Sequence, residues 1–179
     1  MRYHVFQFAG ISAYNTGQKE VDALLYEAFC YRKDHGFWQA VEEAVNNAVQ
    51  HTRTPAAWTN GIEIVVRVMA LNVAVTVRAS TQRFDARAYQ STLIELAGNQ
   101  ATCRMAWRQV EGMRPSPHFG LWLMLAGSDY LYMDSDGQSV TIVKSISPAP
   151  VRREIRMLVP RFYVRQDGGL LTGKEERIE

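Results

Sequence analysis

Ile62-Glu-Ile-Val-Val-Arg-Val-Met-Ala70-Leu-Asn72-Val-Ala-Val-Thr-Val-Arg78 is the stretch that decides the fold class. Ile62, Ile64, Val66 and Val68 alternate with Glu63 and Arg67, and Val73, Val75 and Val77 alternate with Thr76 and Arg78. A period of two puts each apolar set on one side of an extended segment. Two such runs joined by the short Ala70-Leu71-Asn72 link predict an antiparallel hairpin.

Outward from this hairpin, helical and extended patterns take turns. On the N-terminal side, Tyr3, Val5 and Gln7 share one face of an expected strand, with His4, Phe6 and Phe8 on the other, and Gly10 ends it. Val21, Leu24, Leu25, Ala28 and Phe29 predict an amphipathic helix from about Lys19 to Lys33. Asp34-His35-Gly36 breaks it, a second helix runs to about Thr52, and Pro55 and Asn60-Gly61 mark a loop. On the C-terminal side, Tyr89, Leu93, Leu96 and Ala97 predict one helix and Cys103, Ala106, Trp107 and Val110 another, with Gly98-Asn99 between them. Gly112 and Pro115-Ser116-Pro117 stop the second, and a further helix begins near His118 with Phe119, Trp122, Leu123 and Ala126. Tyr130 to Asp134 and Val140 to Ile146 form a second hairpin around Asp136-Gly137. The order is strand, helix, helix, hairpin, helical insert, helix, hairpin. It predicts an α+β two-layer sandwich, a mixed or antiparallel sheet covered by helices on one face. Residues 1–146 are expected to form this domain. Residues 147–179 form a C-terminal extension that opens with the linker Ser147-Pro148-Ala149-Pro150.

Composition narrows the class. The chain has 179 residues, 47% of them hydrophobic, which suits one domain with a sizeable core. A net charge of +2 creates no strong field, so neither nucleic acid nor a membrane surface is implied. The N-terminus lacks the apolar core of a signal peptide, and no apolar run approaches membrane-spanning length. The expected location is the cytoplasm. Cys30 and Cys103 lack metal-ligand spacing and lie in segments expected to be helical, so they read as buried thiols in a reducing compartment. There is no Gly-rich phosphate loop, no nucleophile elbow and no histidine pair at zinc spacing.

One segment carries chemistry. Glu43-Ala-Val-Asn-Asn47-Ala-Val-Gln-His51 places a carboxylate, a carboxamide and an imidazole on one side of a helix, drifting by about 40° per step. Val41, Ala44, Val45, Ala48 and Val49 form the opposite, apolar stripe. One turn apart, a carboxylate can polarise a hydroxyl while an amide oxygen helps to hold magnesium, the pairing a phosphoryl-transfer site needs. The plain alternative is the solvated face of a half-buried helix.

Three segments, with the spacing between them, resemble the histidine-kinase-like ATPase fold (the GHKL superfamily), and most closely its anti-sigma-factor serine-kinase branch. Glu43 to His51 is similar to the first nucleotide-site motif. Ala79-Ser-Thr-Gln-Arg-Phe84-Asp85 stands where the family has Asp-x-Gly-x-Gly-Phe-Asp. His118-Phe-Gly120-Leu121-Trp-Leu123 resembles the Gly-x-Gly-Leu-x-Leu helix start, and Asp136 to Lys144 resembles the last hairpin. The resemblance covers about Tyr3 to Lys144 and implies Glu43 as the catalytic base, Asn47 as the magnesium ligand, and Asp85, Gly120 and Leu121 as cofactor-binding, with ATP and Mg as cofactors.

The chain departs from the pattern at four positions. The adenine-binding Asp falls on Ala79, the two glycines on Thr81 and Arg83, and the first glycine of the later motif on His118. A lost charge-assisted hydrogen bond costs about 1.5–3 kcal/mol, and side chains at glycine positions crowd the phosphates. An alternative has Arg83 or His118 contacting phosphate in a remodelled pocket. His51 also reads as a helix-end residue, and Phe84-Asp85 as a packing and capping pair.

The resemblance therefore implies a partner-switching regulator that acts mainly by protein binding, with weak or lost ATP use. In that branch the partners are a sigma factor and a small antagonist protein whose serine is phosphorylated. A homodimer is also compatible with it. The alternatives are an active serine protein kinase, and a nucleic-acid-binding or scaffold module on the same fold. The latter would draw on Arg152, Arg153, Arg156, Arg161 and Arg165, although interleaved Ile155, Leu158, Val159, Phe162 and Val164 predict a docked amphipathic element instead.

Overall fold

Valine and isoleucine at alternate positions favour extended backbone, because their branched side chains pack well on a pleated surface. A computed structural model describes residues 1–51, 61–80, 84–98, 119–146 and 161–165. The valine-rich runs there form β2 (Ile62–Val68) and β3 (Asn72–Ala79), joined by a tight turn in which the Met69 N–H donates to the Asn72 carbonyl at 2.8 Å. β1 (Arg2–Phe8) pairs antiparallel with β2. β4 (Tyr130–Asp134) and β5 (Ser139–Ser145) form the second hairpin, and β5 pairs antiparallel with β3.

A sixth strand, β6 (Phe162–Arg165), pairs in parallel with β4, giving the order β1-β2-β3-β5-β4-β6. The sheet thus draws one edge strand from the segment beyond residue 146. Part of the expected docked element is a strand of the sheet itself. Parallel pairing at the edge of an antiparallel sheet makes it mixed.

The four described helices are α1 (Ile11–Ala28), α2 (His35–Gln50), α3 (Ala86–Gly98) and α4 (Phe119–Gly127). Their buried residues join one core with one face of the sheet: Ile62, Ile64, Val66, Val73, Val75, Val77, Leu131, Ile142 and Phe162. This is a two-layer α+β sandwich. α1 lies on β1 and β2, α2 on β3 and β5, α3 on β6 and α4 on β4 and α2. The opposite face is not simply wet, since Val65, Arg67, Ala74, Thr76, Thr141 and Val143 are buried there. Thr76 and Thr141 share a hydroxyl–hydroxyl hydrogen bond of 2.9 Å across β3 and β5.

The structure moves several expected boundaries. α1 begins at Ile11, eight residues before Lys19 (19 − 11), and Gly17 inside it lies against the Phe8 ring, 2.6 Å from where a Cβ would stand. It ends at Ala28 and not at Lys33. The Tyr31 N–H donates to the Tyr26 carbonyl (2.8 Å) and the Cys30 N–H to the Glu27 carbonyl (3.0 Å), the pattern of a Schellman end. The residue at its left-handed position is Cys30, at φ 53°, with Tyr31 at φ 60°. Cys30 is therefore an exposed thiol and not a buried helical one. Cys103, the expected helix around it, and residues 147–160 lie outside the described residues. Asp34 does not separate two helices as a plain breaker. It caps α2, accepting from the Phe37 N–H at 3.0 Å.

Candidate functional site

α2 buries Phe37, Trp38, Ala40, Val41, Ala44, Val45 and Ala48, so Glu43 and Asn47 fall on its flank. Its start is fixed at one end of the sheet. Besides capping the helix, Asp34 places Oδ2 3.5 Å from the Lys144 ammonium, which lies 3.9 Å from Asp129 Oδ1. Asp129 Oδ2 accepts from the Ser145 N–H at 2.7 Å. This cluster ties α2 to β5 and to the connection between α4 and β4. The sequence shows Asp34 only within a helix break and Lys144 only as the end of a hairpin, with no sign that the two meet. An aspartate three residues before a buried aromatic run was the available signal.

α4 runs antiparallel to α2 and comes very close to it. A Cβ on Gly127 would meet the carbonyl of Gly36 and stand 2.9 Å from the Ala40 methyl. Two turns along, a Cβ on Gly120 would meet Glu43, 2.9 Å from its Cδ and 3.0 Å from its Cγ. The Glu43 side chain thus lies flat on the Gly120 backbone, and two segments distant in sequence are in contact. Glu43 is half-buried, and its carboxyl is held above the ordinary value, first by burial and then by the neighbouring charge of Glu42. Asn47 follows one turn later and is also half-buried. Leu121 is buried in the core. His51 is exposed at the C-cap of α2, where its N–H donates to the Asn47 carbonyl at 3.1 Å.

Asp85 belongs to a different grouping. Its Oδ1 accepts from the N–H groups of Arg87 (3.1 Å) and Ala88 (2.9 Å), which caps α3. Phe84 packs on Tyr89 with the rings tilted by 55° and centroids 5.2 Å apart, and its N–H donates to the Asp136 carbonyl at 3.0 Å. Gly137, at φ 74°, lies under Phe84, so this turn needs glycine both for its backbone and for space. Ala79 ends β3 with its N–H on the Gln138 carbonyl at 3.1 Å. The chain after β3 is therefore bound to the turn between β4 and β5. Among the described residues no hydrogen bond or ion pair joins Asp85 to Glu43 or Asn47. Thr81, Arg83 and His118 lie outside the described residues.

A second constellation was not foreseen, because it depends on β6. On the sheet face away from the helices, the Arg165 guanidinium stands 4.6 Å from the Tyr132 ring centre, and Tyr163 stacks on Tyr132 at 5.2 Å. Asp134 opposes Arg165 in register. Its carboxyl is held above the ordinary value, chiefly by burial, against the lowering effect of Arg165 and Arg78.

Tested against a nucleotide with magnesium, the described residues fit poorly. The space that glycine leaves at position 120 is filled by Glu43, Ala79 has no acceptor for an adenine amine, and the Asp85 carboxylate already serves two backbone amides. Among the described residues no group of three His, Cys, Asp or Glu side chains gathers around a metal position, and no helix is long and apolar enough to cross a membrane. No protein-family model matches the chain, and no curated protein matches it.

Proposed function

We propose that this protein is a partner-switching regulator, similar to the anti-sigma-factor kinases in architecture, that works by binding other proteins and makes little or no use of ATP. The observation that carries the reading is the packing of Glu43 on Gly120. It joins two of the three segments on which the resemblance rests, on adjacent helices above one sheet. The topology supports it as well: one strand, two helices, a hairpin, the helices α3 and α4 and a second hairpin lie in the expected order, with β6 added after them.

The same contact supports the binding half of the proposal. In an ATP-using member, the glycine at position 120 would leave its backbone open to phosphate. Here the carboxyl side chain of α2 covers it. Binding surfaces then remain as the means of action, with a sigma factor and a small antagonist competing for them.

Calorimetric titration with ATP and magnesium tests the nucleotide half, with dissociation constants expected at about 10⁻⁴ M or weaker. Binding at low micromolar concentration would favour the active serine kinase. The partner half is tested by mixing the purified protein with purified sigma factors and single-domain antagonists from its own cell. Mutually exclusive complexes are expected on gel filtration, and failure of every pair to associate would overturn the reading.

A further inference from the structure

Residues 151–165 carry five arginines and one acid, Glu154, yet they also carry the apolar residues of a docked element. A strand satisfies both patterns, because its side chains point alternately to opposite faces. Phe162 and Val164 of β6 join the core, while Tyr163 and Arg165 stand on the outer face against β4. Tyr163 touches two rings there. It stacks on Tyr132 at 5.2 Å with the planes 21° apart, and meets Tyr130 at 6.3 Å. The Arg165 guanidinium stands 4.6 Å from the centre of the Tyr132 ring. Towards the middle of the sheet Thr141 and Val143 are buried, so the accessible part is this flank, where Tyr163 is 40% exposed. Arg161 and Arg165 lie two residues to either side of Tyr163, and both are half-buried.

We propose that the β4–β6 flank binds single-stranded nucleic acid, with an unpaired base stacked on Tyr163 and the neighbouring phosphates held by Arg161 and Arg165. The inference does not depend on the regulatory reading above. Aromatic rings on adjacent strands offer faces on which any base can stack, and arginines beside them supply the cations that a phosphate backbone needs.

Charge supports this occupant over others. Asp134 opposes Arg165 in register and offsets part of its charge. The remaining attraction comes from the stretch that leads into β6: residues 151–165 have a net charge of +4 (5 − 1), against +2 for the whole chain. The field is thus local to one end of the sequence, and it adjoins the tyrosines. An acidic peptide would match the arginines and leave the rings unused. A duplex would do the same, since its base faces are hidden in the stack. A single strand uses both features.

Fluorescence anisotropy of the full chain with labelled oligouridine and oligothymidine of about twelve nucleotides, at about 50 mM salt, tests the proposal. Dissociation constants of about 10 µM are expected, with a duplex of the same length bound at least fivefold more weakly. The tighter of the two single strands identifies the sugar, and binding of either supports the site. Tyr163→Ala is expected to weaken binding at least fivefold, whereas Tyr163→Phe keeps the stacking face and should stay within about twofold of the wild type. Arg161→Gln should weaken binding and lower the slope of log affinity against log salt by about 0.7, which keeps the test valid if Tyr163→Ala does not fold. No binding at 100 µM protein, equal binding of the duplex, or indifference to Tyr163→Ala in a folded variant would overturn the proposal. Polyglutamate competing as well as unlabelled oligothymidine would do so too, by showing a surface that reads charge alone.

Discussion

Gly127 of α4 and Gly36 of α2 touch backbone to backbone, but they are not equivalent. A Cβ on Gly127 would enter the Gly36 peptide, standing 2.6 Å from its carbonyl carbon, whereas a Cβ on Gly36 would meet nothing nearer than 3.5 Å. Gly127→Ala is therefore expected to force the two helices apart at a cost of about 3 kcal/mol or more. Gly36→Ala adds a better helix former whose methyl makes only ordinary van der Waals contacts, with Asp34 and Gly127, and should change stability by less than about 1 kcal/mol. Chemical denaturation of both variants checks this, and equal effects would show that the helix crossing is looser than described.

Glu43 offers a pH test. Its carboxyl is held above the ordinary value in the folded chain, so the fold binds its proton more tightly than the unfolded chain does. The protonated form stabilises the fold below the unfolded value. That contribution is lost as pH rises through the folded one. At neutral pH the charged carboxylate is thus a mild burden, so Glu43→Gln should match or exceed the wild-type melting temperature by about 1–3 °C. The advantage should vanish below the ordinary carboxylate range. A Gln variant clearly less stable at pH 7 would mean that the charge is satisfied by a partner.

Restoring the missing acid should not restore nucleotide binding. Ala79→Asp supplies an acceptor at the end of β3 and leaves both the Glu43–Gly120 contact and the capping role of Asp85 in place. Titration with ATP and magnesium should stay at about 10⁻⁴ M or weaker. A tenfold or larger gain from this one change would show that adenine recognition alone had been limiting.

The last strand should matter for stability. Phe162 is 1% exposed, and its carbonyl accepts from the Gln90 side chain at 2.6 Å. Phe162→Ala is expected to cost about 3–5 kcal/mol, and the neighbouring, 40% exposed Tyr163 changed to Ala about 1 kcal/mol. Deleting 148–179 should lower the melting temperature at least as much as Phe162→Ala. A truncated chain that melts like the full one would place β6 outside the cooperative unit.

The two hairpins were legible because each is local. Alternation at Ile62–Arg78 and the Asp136-Gly137 turn specify pairing between neighbours in sequence, and the structure has both. The limits of α1 were not legible. Ser12, Asn15, Thr16 and Gly17 are indifferent helix formers, and the Phe8 ring that packs on Gly17 comes from another element. Its end was hidden because Cys30 fills a position where glycine is the usual sign. β6 was out of reach for a further reason. Four residues after Pro160 give too short a pattern, and their pairing is with a strand about thirty residues earlier (Leu131 with Phe162). For the candidate site, the Glu43 helix was readable from its own periodicity, whereas its contact with Gly120 required the fold.

The position of β6 also bears on how the chain is made. Phe162 fills the core from one edge strand, whereas β1, at the other edge, is made long before it. During synthesis the early hairpin and helices can form and meet, but the floor under α3 stays open until residue 165 has emerged. The nascent protein therefore carries unsealed apolar surface beside β4 from the emergence of that strand until β6 follows about thirty residues later, the period in which chaperone contact counts most. Slowing or stalling synthesis just before the last strand should expose more of this chain to aggregation than stalling within either hairpin.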